Sequence, residues 1–307
     1  MAARKIVLVT GGNGGIGYET VKAFFESKKP YHVFMGSRSL DNAKTAIQKL
    51  NKECPDATNE VEPLQVDLTS DESIEAAFKT VQSGPGYIDA LINNAGANFD
   101  IPHLAGKVSL RESFTNAYDV NVAGTHVMTN TFVPLLLKSN DPRLIFVAGL
   151  SQINKAAQSY FPTPPQPAGW PKPKGDFEVI GYRCSKIALN MLMLDWNNKL
   201  KADGVKVWSV GPGFLATNLG GVPEKALEMG AKHPSAGGEY SAVWLKEREM
   251  NQLERLLYGA SPFEINQTRN TPLIIEKDGA FVIEPAKLSN IQPLIVFAGK
   301  AAPSLRP

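Results

Sequence analysis

The sequence predicts an α/β fold, a single doubly wound domain with a central parallel sheet and helices on both faces. Three observations carry this prediction. Short apolar, β-branched runs alternate with longer helical patterns over the first 220 residues, and such alternation calls for crossover units and a parallel sheet. Most of the runs are apolar and do not alternate, as strands covered on both faces read. A glycine-rich turn joins the first run to the first helix, which is the context in which such a turn meets a phosphate.

Each element has its own signal. The strands are expected at Ile6–Thr10, Val33–Met35, Val61–Val66, Ile88–Ile92, Leu144–Ala148 and Val205–Val210. The helices between them are expected at Tyr18–Ser27, Asn42–Lys52, Glu72–Gln82, a long amphipathic stretch from about Ser109 to Lys138, and Tyr182–Ala202. Pro162–Gly175 holds six of the 22 prolines and cannot continue a helix or a central strand. It belongs to a Pro-rich insertion over 152–181. From about 224 to 307 the chain is a divergent lid and C-terminal extension within the same 1–307 domain. That part carries one helical pattern, Tyr240–Tyr258, then Leu273–Ile275 and Ala280–Ile283 separated by Glu-Lys-Asp-Gly. Asp-Gly between apolar runs is a hairpin signal.

Composition narrows the function. The 307 residues are 43% hydrophobic and 20% charged, which excludes a disordered or collagen-like chain. The net charge is only +2, so nucleic acid and anionic membrane are poor partners. The longest apolar run, Thr131–Leu137 with its neighbours, is far short of the ~20 residues that a membrane span needs. Two cysteines, Cys54 and Cys184, cannot build a disulfide framework and point to a reducing, cytoplasmic setting. The four histidines show no metal-ligand spacing, and no metal is expected.

The turn after the first strand reads Thr10-Gly11-Gly12-Asn13-Gly14-Gly15-Ile16-Gly17. Its glycines permit a tight bend and let backbone N–H groups approach a pyrophosphate at the helix N-terminus. The spacing Thr-Gly-x-x-x-Gly-x-Gly resembles that of the short-chain dehydrogenase/reductase superfamily. Later blocks agree in order: Asn93-Asn94-Ala95-Gly96, Asn121, Tyr182-x-x-x-Lys186, and Pro212-Gly213 with Thr217. The wording Tyr-Arg-Cys-Ser-Lys and Gly-Phe-Leu-Ala-Thr is similar to that of the carbonyl-reductase-like and fungal-type NADPH-dependent reductases. Beyond about Gly238 the resemblance fades.

The second strand runs into Ser37-Arg38, with no carboxylate before Asp41. A carboxylate there would hold the ribose diol and repel a 2′-phosphate, whereas Arg38 can pair with that phosphate and Ser37 can add a donor. NADP(H) is therefore expected over NAD(H), the plainer alternative being a solvated loop charge. The resemblance adds Asp67 as an adenine contact, the backbone near Leu215 against the carboxamide, and Thr217 near the phosphates. With Gly11, Asn13, Gly15, Ile16, Gly17, Asn93, Asn94, Ala95, Gly96, Tyr182, Lys186, Pro212 and Gly213, these make the expected cofactor site.

Tyr182 and Lys186 lie four residues apart on a predicted helix and share a face. An ammonium beside a phenol favours the phenolate and lowers the tyrosine pKa. Tyr182 is then the expected proton donor to a carbonyl, and Lys186 its partner and a hold on the nicotinamide ribose. The resemblance implies that Asn121 kinks the long helix and supports a water relay to the lysine. It also implies a serine at the end of the fifth strand, where this sequence has Gly149, with Ser151 two residues later. Either a small loop shift brings Ser151 to the site or the serine function is lost. Cys184, at i+2 from Tyr182, is expected to be a small core residue. The Pro-rich segment, with Tyr160, Phe161, Trp170 and Phe177, is expected to wall the substrate cleft.

The expected function is hydride transfer between NADP(H) and a ketone, aldehyde or secondary alcohol, such as a bulky secondary-metabolite or xenobiotic carbonyl. The alternatives are a reductase-like protein that binds NADP(H) yet catalyses a cyclisation or isomerisation, and a cofactor-binding sensor. Members of the family often form dimers or tetramers through the helix bearing the Tyr–Lys pair.

Overall fold

The computed structural model describes residues 4–148, 166–173 and 177–238, together with two strands at 274–277 and 280–283. The strands are β1 (Lys5–Val9), β2 (Tyr31–Ser37), β3 (Glu60–Gln65), β4 (Ala90–Asn93), β5 (Arg143–Val147), β6 (Lys206–Gly211), β7 (Ile274–Lys277) and β8 (Ala280–Ile283). They form one sheet in the order β3-β2-β1-β4-β5-β6-β8-β7. The first six pair in parallel. The Asp-Gly signal is matched by an antiparallel pair, β7 with β8, whose β8 also pairs antiparallel with β6.

The helices are α1 (Gly15–Phe25), α2 (Leu40–Glu53), α3 (Asp71–Ser83), α4 (Asp100–Leu104), α5 (Leu110–Tyr118), α6 (Thr125–Leu136), α7 (Ile180–Leu200) and α8 (Pro223–Glu228). Successive residues of a strand point to opposite faces, and along β1, β2, β4, β5 and β6 both faces are largely buried. Val7 and Val9 of β1 join Val21, Phe24 and Leu50 of α1 and α2 in one core. Ile6 and Leu8 join Ile74, Phe132, Leu189 and Trp196 of α3, α6 and α7 in the other. This is why the strands read as unbroken apolar runs.

Two boundaries differ from expectation. The helix expected to open at Tyr18 begins at Gly15, so the glycine turn supplies its first turn. The single helix expected over Ser109–Lys138 is α5 and α6 joined through a π-helical segment, Asp119–Gly124, that contains Asn121. The short α4 had no periodic signal. The pattern at Tyr240–Tyr258 lies outside the described residues.

Strand order reverses between β1 and β4, whose sequence neighbours lie on opposite sides. Parallel sheets bind ligands in the crevice beyond the carboxyl ends of the strands at such a switch point. The glycine turn after β1 and Asn93–Gly96 after β4 both open into it.

Candidate active site

The site is assembled around Thr10. Its hydroxyl accepts hydrogen bonds from the backbone N–H groups of Asn94 and Ala95, each at 3.0 Å. The Asn94 amide donates back to the carbonyls of Thr10 and Gly11 at 2.9 and 3.2 Å. The two loops at the switch point are thus one bonded unit. Gly17 is pressed so close that a Cβ would collide with the Gly11 carbonyl oxygen and Asn94 Nδ2. Gly11 has φ +64° and Gly15 φ +53°, the left-handed region that favours glycine. A Cβ on Gly15 would meet the Thr217 side chain at 3.2–3.3 Å, so Thr217 lies over the glycine turn.

The amide groups that open α1 have been left without a protein acceptor from any side chain. Gly14 caps the helix with no side-chain bond, and the first turn holds no acid. By contrast α2, α3 and α5 are capped by Ser39, Ser70 and Ser109 and carry Asp or Glu in their first turns. An uncapped, glycine-lined helix N-terminus fits a bound phosphate. Arg38 stands exposed after β2 with no ion pair among the described residues. Ser37 is buried, and its Oγ accepts from the Ser39 N–H at 3.3 Å. Asp67 is turned into its own loop, where Oδ1 accepts from the Thr69 N–H and hydroxyl at 3.0 and 2.8 Å. Ile16, Pro212 and Leu215 converge, since a Cβ on Gly237 would touch all three. The loop after β6 is pinned by paired bonds between Phe214, Ala216 and Lys232. The glycine cradle, the uncapped helix and the unpaired Arg38 together fit a dinucleotide.

Lys186 is 5% exposed and donates from Nζ to the Val147 carbonyl at 2.9 Å. Its Nζ lies 5.7 Å from the centre of the Tyr182 ring. Burial drives the two groups in opposite directions, each toward its neutral form. Tyr182 is pushed up to about 12 and Lys186 down to about 8. The tyrosine shift is therefore opposite to the one expected from a neighbouring ammonium, because loss of solvent is what moves it.

Asn121 is fully buried in the π-helical segment. Its Oδ1 accepts from the Ala97 N–H at 2.7 Å, and its Nδ2 donates to the Ala97 carbonyl at 2.9 Å and to Ser185 Oγ at 2.8 Å. Ser185 in turn donates to the Tyr182 carbonyl at 2.7 Å. Asn121 thereby ties the loop after β4 to α7. Gly96 is wedged between Asn121 Oδ1 and Lys186 Nζ, each 3.2 Å from where its Cβ would stand.

Asp100 escaped the reading of the sequence. It is 5% exposed, and its two carboxylate oxygens accept from the Gly181 and Tyr182 N–H groups, each at 2.9 Å. Nothing local marks it, because its partners are more than 80 residues away in the chain. Cys184 is half-buried rather than a core residue. Gly149, Ser151, Tyr160 and Phe161 lie outside the described residues. Trp170 is 87% exposed and so walls no cleft, whereas Phe177 packs edge-on to Phe214 with centroids 6.4 Å apart. Among the described residues no three metal-ligating side chains gather, and no helix is long and apolar enough to cross a membrane.

A Tyr–Lys helix beside a glycine-rich crevice at the switch point is the arrangement that the resemblance to short-chain dehydrogenases implies. The family profile described as short chain dehydrogenase matches residues 5–160. The chain is similar to the short-chain dehydrogenase/reductase tropE of Talaromyces stipitatus, 49% identical over 72% of this chain and 82% of that one. It is also similar to the short-chain dehydrogenase/reductase eupG of a Phoma species, 43% identical over 77% and 88%. The protein belongs to the short-chain dehydrogenase/reductase family of oxidoreductases. Its fold is shared with an alcohol dehydrogenase of Thermococcus sibiricus complexed with 5-hydroxy-NADP (22% identity, 80% and 91% covered, TM-score 0.59). It is shared too with an NADPH-bound carbonyl reductase from chicken fatty liver (22%, 74% and 89%, TM-score 0.54).

Proposed function

We propose that the protein is an NADPH-dependent reductase of a ketone or aldehyde, acting on a bulky apolar carbonyl compound of secondary metabolism. The observation that carries this reading is the pair on α7, half-buried Tyr182 and buried Lys186, set beside the loops after β1 and β4 with Lys186 bonded to the last residue of β5. Arg38 and Ser37 would hold the 2′-phosphate, and the α1 N-terminus with Gly11, Asn13, Gly15, Ile16 and Gly17 the pyrophosphate. Asp67 would lie at the adenine, Asn93–Gly96 along the ribose, and Pro212, Gly213, Leu215 and Thr217 over the nicotinamide end. When bound, the reduced cofactor supplies a hydride.

Tyr182 holds its proton at neutral pH and is the general acid that would deliver it to the carbonyl oxygen. Lys186, charged below about 8, stabilises the phenolate left behind. Asn121 fixes the loop against α7 so that these two groups keep their geometry. Ser151 is the candidate second donor to the carbonyl oxygen. The resemblance of the Tyr182–Lys186 and Gly213–Thr217 wording to the fungal-type reductases supports a secondary-metabolic setting, and two free cysteines support a cytoplasmic one.

The test is NADPH oxidation with a panel of aromatic and aliphatic carbonyls, benzil among them, for the parent and for Tyr182→Phe. Turnover by the parent and its near-complete loss in the variant are expected. Equal turnover by the two would overturn the reading, and a rearranged product without net oxidation of NADPH would point instead to an isomerase or cyclase.

A further inference from the structure

We infer that Asp100 is a positioning residue for Tyr182, acting as a cap supplied from a distant element to the helix that bears the catalytic pair. The inference deepens the reading above and rests on it.

The first N–H groups of any helix lack intrahelical acceptors. A residue at the N-cap ordinarily supplies one through its own side chain. In α7 the N-cap is Val179, which has no polar side chain and makes no cap bond. The acceptors come instead from Asp100, one oxygen to Gly181 and the other to Tyr182. Gly181 makes this approach possible, since a Cβ there would stand 3.0 Å from Asp100 Oδ1 and 3.4 Å from the Phe114 ring.

A carboxylate at a helix N-terminus also meets the positive end of the helix dipole. A local cap would satisfy the same amides without fixing where the helix sits. Asp100 does both, because it opens α4 directly after the loop that bonds Thr10 and Asn121. The Asn98 side chain, which accepts from the Asp100 N–H at 2.8 Å, steadies it. Residues 94–100 thus bond in turn to the glycine turn after β1, to the π-helical segment and to the residue that carries the phenol. Tyr182 is registered against the cofactor crevice through its own backbone N–H.

The test separates capping from positioning. Asp100→Ala removes both bonds, and Asp100→Ala combined with Val179→Asp restores a local cap for the same two amides. Asp100→Asn keeps one acceptor oxygen and is the variant least disturbing to folding. Four quantities are measured: thermal midpoint, NADPH affinity by fluorescence, hydrogen exchange of the peptide spanning 179–186, and kcat for benzil reduction. The double variant is expected to regain the thermal midpoint that Asp100→Ala loses. Its kcat is expected to stay about tenfold or more below the parent, the scale on which misplacement of a reacting group acts. Asp100→Asn should show the same sign, with lower kcat at unchanged NADPH affinity, and faster exchange in the 179–186 peptide.

Recovery of kcat together with the midpoint would reduce Asp100 to an ordinary cap and overturn the inference. So would unchanged kcat in Asp100→Asn, or unchanged exchange of the peptide in that variant. A parent that leaves benzil unreduced, or an active Tyr182→Phe, marks failure of the reductase reading instead; exchange of the 179–186 peptide in the double variant then decides Asp100, faster than the parent's despite the regained midpoint if it positions the helix, and equal to the parent's if it is an ordinary cap.

Discussion

Lys186 Nζ lies 5.7 Å from the centre of the Tyr182 ring and gives a hydrogen bond to the Val147 carbonyl at 2.9 Å. Burial holds the lysine near 8 and the tyrosine near 12. Around neutrality the phenol is protonated and the amine mostly charged, the combination a proton donor to a carbonyl requires. As pH rises through about 8 the amine loses its charge while the phenol is still protonated. We expect kcat/KM for carbonyl reduction to be flat on the acid side and to fall by about tenfold per unit above that value. In Lys186→Arg the side chain keeps its charge, so the alkaline limb should move upward even though the rate is lower. A pH profile of both enzymes checks this.

Arg38 is exposed and makes no ion pair among the described residues. A charged hydrogen bond to a phosphate contributes about 1.5–3 kcal/mol. Arg38→Ala should therefore raise KM for NADPH by about tenfold or more and leave KM for NADH nearly unchanged. Equal effects on the two cofactors would remove Arg38 from the 2′-phosphate.

Gly17 has no room for a methyl group between the Gly11 carbonyl and the Asn94 amide. Overpacking of this kind costs about 1–3 kcal/mol. Gly17→Ala should lower the thermal midpoint by a few degrees and weaken NADPH binding in a fluorescence titration, because the Thr10–Asn94 unit must shift to make space.

At the opposite end of the sheet Asp141 accepts from Lys5 at 2.9 Å, from Arg143 at 2.6 Å and from Lys206 at 3.0 Å. Burial would raise its pKa, but the three cations outweigh burial and hold the carboxyl well below its ordinary range. A depressed carboxylate contributes stability above its unfolded pKa, about 4, and that stability is lost as pH falls toward the folded value. Asp141→Asn leaves the buried Arg143 without this charge and should cost about 3 kcal/mol at neutral pH. Urea unfolding should show the gap between parent and variant closing in acid.

Phe177 and Phe214 join the end of the Pro-rich insertion to the loop after β6. Removal of 162–175 should raise KM for a bulky aromatic carbonyl several-fold more than KM for NADPH. Steady-state kinetics with both varied gives the comparison, and an unchanged carbonyl KM would take the insertion out of substrate binding.

Much of this molecule is legible in its residues. Strand runs, glycine turn, Asn93–Gly96 and the Tyr–Lys spacing each rest on local chemistry, and local chemistry is what a sequence displays. The start of α1 at Gly15 was less legible, because glycine is a poor helix former and only packing of the turn against Asn94 draws it in. The π-helical segment was not legible in the periodicity, since the apolar pattern of Ser109–Lys138 runs through it, and only the resemblance implied a kink at Asn121. The exposure of Trp170 was invisible for the converse reason, as an aromatic side chain does not announce which way its loop turns.

The sequence by itself determined the doubly wound sheet, the family and the order of the chemical blocks along the chain, because periodicity, glycine spacing and side-chain type are properties of neighbours. Only the tertiary structure decided that Asp100 caps the helix of Tyr182, that Asn121 ties the loop after β4 to it, and that burial sets the phenol and the amine against their charged forms. Those outcomes depend on distances between residues far apart in the chain and on how much water is left between them. Neither quantity exists until the chain has folded.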